Sequence, residues 1–294
     1  MPAPIPLRST FQSPVKSKAS QALSSLKAIP HPSRQSLSHL VSKIDATLQI
    51  QPVQHQPYRR IPDKVDLAFF AERFTTAGVA RQIALLNFEM FCSVDSSDWT
   101  IEPYSWEIEE MNRWTHRMTR WVVHEVISPE KPQERARAYE ILVDIAEHLQ
   151  KMNDYNGMVV VLNAIQVTAV SRLKHTMKFV STVTLDKLNV LSSLIKVDDR
   201  YKDLRQLIRL SQLPGVPYPG IYVKELIYIR TGIPSFLDKQ KTIINFNKVK
   251  SLTKCLREMI RFREAPFNFA VIPEAQDYLR NWPNNYNHDG LFQL

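Results

Sequence analysis

Residues 213–250 read LPGVPYPGIYVKELIYIRTGIPSFLDKQKTIINFNKVK, and this stretch decides the architecture. Three of the chain's six glycines and four of its nineteen prolines fall here, where they punctuate rather than build structure. A helix of about a dozen residues is expected from near Gly220 to near Gly232, followed by a longer one from about Ile244. The result is a helical hairpin closed at its base by a proline-rich lead-in. A hairpin so marked is a candidate working part.

Outward from the hairpin the pattern is helical almost without interruption from Val65 onward. Val79, Ile83, Leu86 and Met90 recur at helical spacing, as do Met111, Trp114, Met118 and Trp121. Ala138, Leu142, Ile145, Leu149 and Met152 form a third stripe, and Val249, Leu252, Leu256 and Met259 a fourth. Each is the apolar face of an amphipathic helix and predicts a core-facing side. Short extended pieces such as 268–271 interrupt the series. No repeat of fixed period appears, which argues against a solenoid. The expected fold is all-α: a single orthogonal helical bundle with a protruding helical hairpin.

Composition bounds the function. The chain has 294 residues, 44% hydrophobic and 23% charged, enough for a sizeable core. It contains no apolar run of membrane-spanning length. The opening MPAPIPLRST lacks the apolar centre of a secretory signal. Cys92 and Cys255 fall inside helical patterns and read as buried reduced thiols, which fits the cytoplasm.

The net charge of +9 is unevenly placed. Residues 1–60 hold eight basic side chains against Asp45 alone, while the remainder carries thirty basic and twenty-eight acidic ones. The folded part is therefore nearly neutral, unlike a nucleic-acid-binding domain. Residues 1–60 also hold eight prolines and few large apolar residues, so the segment reads as a disordered basic Ser/Pro-rich tail, with a short helix near 36–48 as an option. A solvated linker is the plain interpretation. Weak contact with an anionic membrane is the alternative.

Covalent chemistry finds little material. There is no phosphate-binding glycine loop and no GxSxG. His124-Glu125 begins a zincin-like motif, but the position of its second histidine is Ser128. His116 and His124 lie eight apart without partners at ligand spacing, so no metal site is expected. The chain reads as a binder or a conformational catalyst.

Four blocks in order then resemble the catalytic domain of Ras-type guanine-nucleotide exchange factors, the RasGEF domain. The first is VARQIALLNFEMFCSV at 79–94. The second is MNRWTHRMTRWVVHEVI at 111–127, followed by a helical stretch with Arg135-Ala136 and Asn153…Asn156-Gly157. The third is RLKHT at 172–176, and the last is PGVPYPGIYVKEL…INFNK. Together they cover about residues 65–285, and a catalytic domain spanning 61–294 is expected.

The resemblance implies release of GDP from a Ras-family GTPase of Ras, Rap or Ral type. A hairpin at about 220–250 inserts between the switch loops, with no covalent chemistry and no cofactor. It places the intruding apolar side chain at Ile227, with Lys224, Tyr228 and Thr231 beside it as catalytic positions. It implies GTPase contacts at Arg113, Val159, Gln166, Tyr201 and Tyr218, and fold-supporting roles for Asn153, Asn156, Arg172 and Thr176. Asn156-Gly157 suits a turn with Asn capping the next helix, and Arg172 a bridge between helices.

Arg230 and Thr231 stand where many relatives carry two acidic residues, the second of which competes with nucleotide phosphate. Met177 replaces a frequent tryptophan. No helical stabilising module of the usual kind is recognisable in residues 1–60. An adaptor that binds a GTPase without exchange is therefore the second reading. A basic-tailed scaffold at membrane or nucleic acid is the third. The implied location is cytoplasmic, with recruitment to the membrane surface as an option.

Overall fold

Thr75, Ser105, Asp154 and Ser181 each accept a backbone N–H from three residues ahead, and each thereby starts a helix. Pro132, Pro219 and Pro273 stand at three further helix starts, where a missing N–H costs nothing. The computed structural model describes residues 67–100 and 104–282. The expectations for residues 1–60, tail and short helix alike, lie outside the described residues.

Twelve α-helices and no strand are present among the described residues. They are α1 (Leu67–Phe74), α2 (Thr76–Ser93), α3 (Trp106–Ile127), α4 (Pro132–Lys151), α5 (Tyr155–Ile165) and α6 (Thr168–Ser171). There follow α7 (Lys174–Met177), α8 (Thr182–Leu194), α9 (Lys202–Leu210), α10 (Pro219–Gly232), α11 (Phe246–Ile260) and α12 (Pro273–Asn281). Short 3-10 turns occupy Asp98–Thr100 and Arg261–Glu264. None of the described helices is long and apolar enough to cross a membrane.

The centre of the bundle is α5, apolar nearly all round, packed between α3 and α4. The first three apolar stripes lie in this core: Val79, Ile83, Leu142, Ile145 and Leu149 are fully buried, and Trp114 and Trp121 nearly so. The fourth differs. Met259 is fully buried at one end of α11, whereas Val249 at the other is 43% exposed, because α11 runs out of the bundle to pair with α10. A stripe that fades along its own helix marks where the hairpin leaves the core.

One polar cluster sits inside. Asp154 is fully buried and accepts from Asn87 Nδ2 at 2.7 Å and from the Gly157 N–H at 2.9 Å. Asn87 in turn accepts from Trp114 Nε1 at 2.8 Å. A Cβ on Gly157 would lie 2.6 Å from the Asp154 carboxylate, so the glycine of the sequence motif is a packing requirement. The cap of α5 is Asp154 rather than an asparagine, while Asn156 is simply buried.

The hairpin is tied to this cluster. Tyr155 N–H donates to the Val216 carbonyl and Val216 N–H to the Asn153 carbonyl, both at 2.9 Å. Asn153 adopts φ 61° and donates its side-chain amide to the Gln212 carbonyl at 3.0 Å. The base of α11 is held by two arginines. Arg261 donates to the Ser211 carbonyl at the end of α9, and Arg263 to the Phe91 carbonyl near the end of α2.

Candidate functional site: the helical hairpin and its groove

Leu226 and Ile229 turn inward from α10 and are buried. Helical geometry then turns Lys224, Ile227 and Tyr228 away from the core. Ile227 is 36% and Tyr228 71% exposed. Ile227 lines a small recess with Trp99, Tyr104 and Leu252. Lys224 and Tyr228 face the opposite way, into a groove of about 860 Å³ between α9 and α10.

Tyr201, Lys202, Arg205 and Arg209 form much of the far wall of that groove. Arg205 crosses to Glu225 at 2.7 Å and fixes the spacing of the two helices. Tyr201 stands before α9 in a left-handed conformation, φ 57° and ψ 37°. Its ring meets Tyr218, which precedes α10, edge to face at 5.8 Å. Burial and the neighbouring Tyr201 push the Tyr218 hydroxyl above its ordinary pKa, so it stays protonated at neutral pH.

The end of α10 is braced from both sides. Arg230 Nη1 donates to the Thr100 carbonyl at 3.2 Å. Lys248 of α11 donates its ammonium to the Arg230 carbonyl at 2.7 Å and to Ser235 Oγ at 3.0 Å, satisfying a helix-end carbonyl with a cation. Thr231 is exposed, and its hydroxyl donates to the Ile227 carbonyl at 2.8 Å.

The remaining expected positions scatter. Arg113 is exposed, pairs with Glu110 at 2.9 Å and lies 4.2 Å over the Trp106 ring. Gln166 is exposed and donates to Ser192 Oγ at 2.9 Å. Val159 is 1% exposed, inside the core. None of these three lines the groove. Thr176 is buried and accepts from Arg135 Nε at 3.0 Å, uniting two of the sequence motifs. Arg172 is exposed, and its side chain makes no hydrogen bond or ion pair among the described residues.

Sequence reasoning passed over Trp106, which is 66% exposed. It lies off the stripe of Met111, Trp114, Met118 and Trp121, and that displacement was the available signal. It also passed over Lys248, whose role depends on a neighbouring helix. Both thiols are free; burial pushes Cys92 to about 11 and Cys255 to about 12, so neither is a nucleophile at neutral pH.

The model of the RasGEF domain matches residues 78–250, more than half of the chain. The chain belongs to the RasGEF family. Among curated proteins, this RasGEF chain is 28% identical over 215 residues to Ras guanine nucleotide exchange factor M of Dictyostelium discoideum. That alignment covers 70% of the chain and 23% of the relative. It is 26% identical over 262 residues to Ras guanine nucleotide exchange factor K of the same organism, covering 85% of the chain and 17% of the relative. It is 26% identical over 234 residues to Ras-specific guanine nucleotide-releasing factor 2 of Danio rerio, covering 76% and 18%. The chain thus spans less than a quarter of the length of these relatives. The matched RasGEF segment contains α10, its groove and the first residues of α11.

Proposed function

We propose that this chain is a guanine-nucleotide exchange factor that releases GDP from a Ras-family GTPase, with residues 61–294 as its catalytic domain. The observation that carries the reading is the outward face of α10: exposed Ile227 and Tyr228 on a helix whose far end is braced from both sides, inside the matched RasGEF segment. Nucleotide affinity in a GTPase depends on Mg²⁺ and on oriented phosphate donors. An apolar side chain driven into the metal position supplies no ligand and excludes water, so it weakens the hold on GDP. Ile227 is assigned that part. Lys224 and Tyr228 contact the switch loops, and Thr231 lies at the hairpin end.

Tyr201 and Tyr218 form the aromatic wall against which the displaced switch segment packs, with Val159 beneath the pocket. Arg113 and Gln166 make outer contacts. The hairpin must bind the nucleotide-free GTPase more tightly than the loaded one, since only differential affinity shifts the equilibrium. Whether the client is of Ras, Rap or Ral type is decided by measurement. Release of fluorescent GDP from each, with catalytic amounts of the full chain, tests the proposal, and acceleration of one names the client.

A second reading has its own observation. Arg230 donates to the Thr100 carbonyl and Thr231 to the Ile227 carbonyl, and neither residue carries a carboxylate to compete with phosphate. Stable binding to a nucleotide-free GTPase with no accelerated release would identify a GTPase-binding adaptor. Membrane contact through residues 1–60 is a further proposal, resting on their charge alone.

A further inference from the structure

The loop joining α10 to α11 carries a surface to which the exchange reading assigns no contact residue. From Pro234 to Ile244 every residue is exposed except half-buried Asp238. The chain doubles back there through a bridge between Phe236 and Ile244, and the Leu237 N–H donates to the Ile243 carbonyl at 2.8 Å. Four large apolar side chains are thereby brought to the tip, Phe236 and Ile244 on one face of the turn and Leu237 and Ile243 on the other. Phe236, Leu237, Ile243 and Ile244 are 36, 66, 55 and 64% exposed. Phe246, at 72%, continues the patch onto α11. Large apolar side chains exposed on both faces of so narrow a turn mark a binding site.

Lysine outnumbers acid around it, three to one. Lys239 and Lys241 stand at the turn between the two apolar pairs, and Lys250 follows one turn beyond Phe246; all three are exposed. The single acid of the loop turns its carboxylate onto the loop's own Thr242 and Ile243. Asp238 accepts the N–H groups of Thr242 and Ile243 at 2.9 and 2.7 Å and the Thr242 hydroxyl at 2.6 Å. These bonds hold it down at about 2. Lys248 is spent on the α10 terminus. The tip therefore presents apolar side chains outward with ammonium groups beside them.

A protein partner suits this poorly. Specific protein interfaces bury about 1,200–2,000 Å² in total and favour aromatic, Met and Arg anchors while avoiding Lys. A narrow loop end with two lysines, and with Leu and Ile as three of its four apolar side chains, offers little of this. Aliphatic and Phe side chains flanked by Lys match the interface of a bilayer, where apolar groups enter the acyl boundary and lysine stems carry their charge back to the phosphates. Lysine also draws the segment to anionic lipid.

We propose that the hairpin tip inserts into an anionic membrane surface, with Phe236, Leu237, Ile243 and Ile244 entering the acyl boundary and Lys239 and Lys241 meeting headgroup phosphate. The flank bearing Ile227 lies on the preceding helix and is left to a GTPase held at the same membrane. This goes beyond the exchange reading and does not depend on it.

The test is flotation of the full chain with vesicles of phosphatidylcholine alone and of phosphatidylcholine doped with phosphatidylserine. Binding is expected only to the doped vesicles. The pair Leu237→Ser with Ile244→Ser, and separately Lys239→Glu with Lys241→Glu, are each expected to weaken it about ten-fold or more. Thermal melts establish that both variants fold, since all four side chains are exposed.

No binding by the wild type overturns the proposal. So does unchanged binding by both variants, which would assign the contact to charge elsewhere, residues 1–60 first. Loss of self-association or of GTPase binding in lipid-free solution, with vesicles ignored throughout, would make the tip a protein contact instead. GDP release measured on the same proteins without lipid separates the two readings. Tip-dependent flotation without release sinks the exchange reading alone, and release without flotation sinks this one alone.

Discussion

Tyr201 and Tyr218 meet edge to face with ring centroids 5.8 Å apart, joining the segment before α9 to the start of α10. Two consecutive left-handed residues, Arg200 at φ 53° and Tyr201 at φ 57°, deliver the first ring. Such backbone costs roughly 1–3 kcal/mol per residue and persists only where its surroundings fix it. Gly220 makes room for the second ring: a Cβ there would lie 2.6 Å from Tyr218 Cζ.

Gly220→Ala is therefore expected to turn the Tyr218 ring away from Tyr201 and to slow GDP release about ten-fold, a loss of transition-state stabilisation near 1.4 kcal/mol. Stability should change less, because alanine is favoured over glycine in a helix by up to about 1 kcal/mol. Stopped-flow release and a thermal melt on one preparation check both parts. Unchanged release would remove the tyrosine pair from the GTPase contact.

Ile227→Asp should abolish exchange and spare the fold. The side chain is 36% exposed and lines only a small recess, so a carboxylate there can stay in water in the free protein. In the complex it would be forced against an apolar switch surface, at a cost of several kcal/mol. Circular dichroism and a melt identical to wild type, with GDP release at the uncatalysed rate, are the expected results. Normal exchange by the folded variant would end the assignment of the hairpin.

Lys248→Met should loosen the hairpin without unfolding the bundle. The ammonium joins the Arg230 carbonyl to Ser235, and hydrogen bonds of charged groups contribute about 1.5–3 kcal/mol. Methionine keeps the apolar stem and removes the donor. Hydrogen exchange by mass spectrometry should show faster amide exchange over residues 219–250, with α3, α4 and α5 unaffected. Uniformly faster exchange would mean that Lys248 supports the whole fold instead.

The bundle was legible because its signals are periodic. Val79, Ile83 and Leu86 in one stripe, and Leu142, Ile145 and Leu149 in another, repeat at the helical period and are all fully buried. The hairpin was legible from Pro219 and Gly232, which sit at the first and last positions of α10. The family resemblance also singled out Tyr201 and Tyr218, which do meet. What periodicity could not show was any feature set by distant parts of the chain. Asp154 binds Asn87, 67 residues earlier, and nothing local distinguishes it from an exposed cap. Val249 continues a stripe yet lies outside the core, because where a helix leaves its bundle is a tertiary fact. The apolar tip escaped notice for a related reason, since Phe236 and Ile244 become neighbours only when the loop doubles back.

Asp154 gives the fold a pH dependence of unusual sign. Burial raises its carboxyl from 3.8 to about 7, against the hydrogen bonds from Gly157 and Asn87, which lower it. Between those two values the native state holds a proton that the unfolded chain has released, so stability falls as pH rises. The slope from one such group is at most about 1.4 kcal/mol per pH unit, and it vanishes above the folded value. Asp154→Asn removes the titration. Its carbonyl can still accept the Gly157 N–H, but its amide confronts Asn87 Nδ2, so the variant should be the less stable protein in mild acid by about 1–3 kcal/mol. Urea unfolding of both proteins from about pH 5 to 8.5 should show the wild-type advantage shrinking towards pH 7 and then levelling. An advantage that grows with pH would mean that the bonds from Gly157 and Asn87 outweigh burial and that Asp154 is ionised throughout.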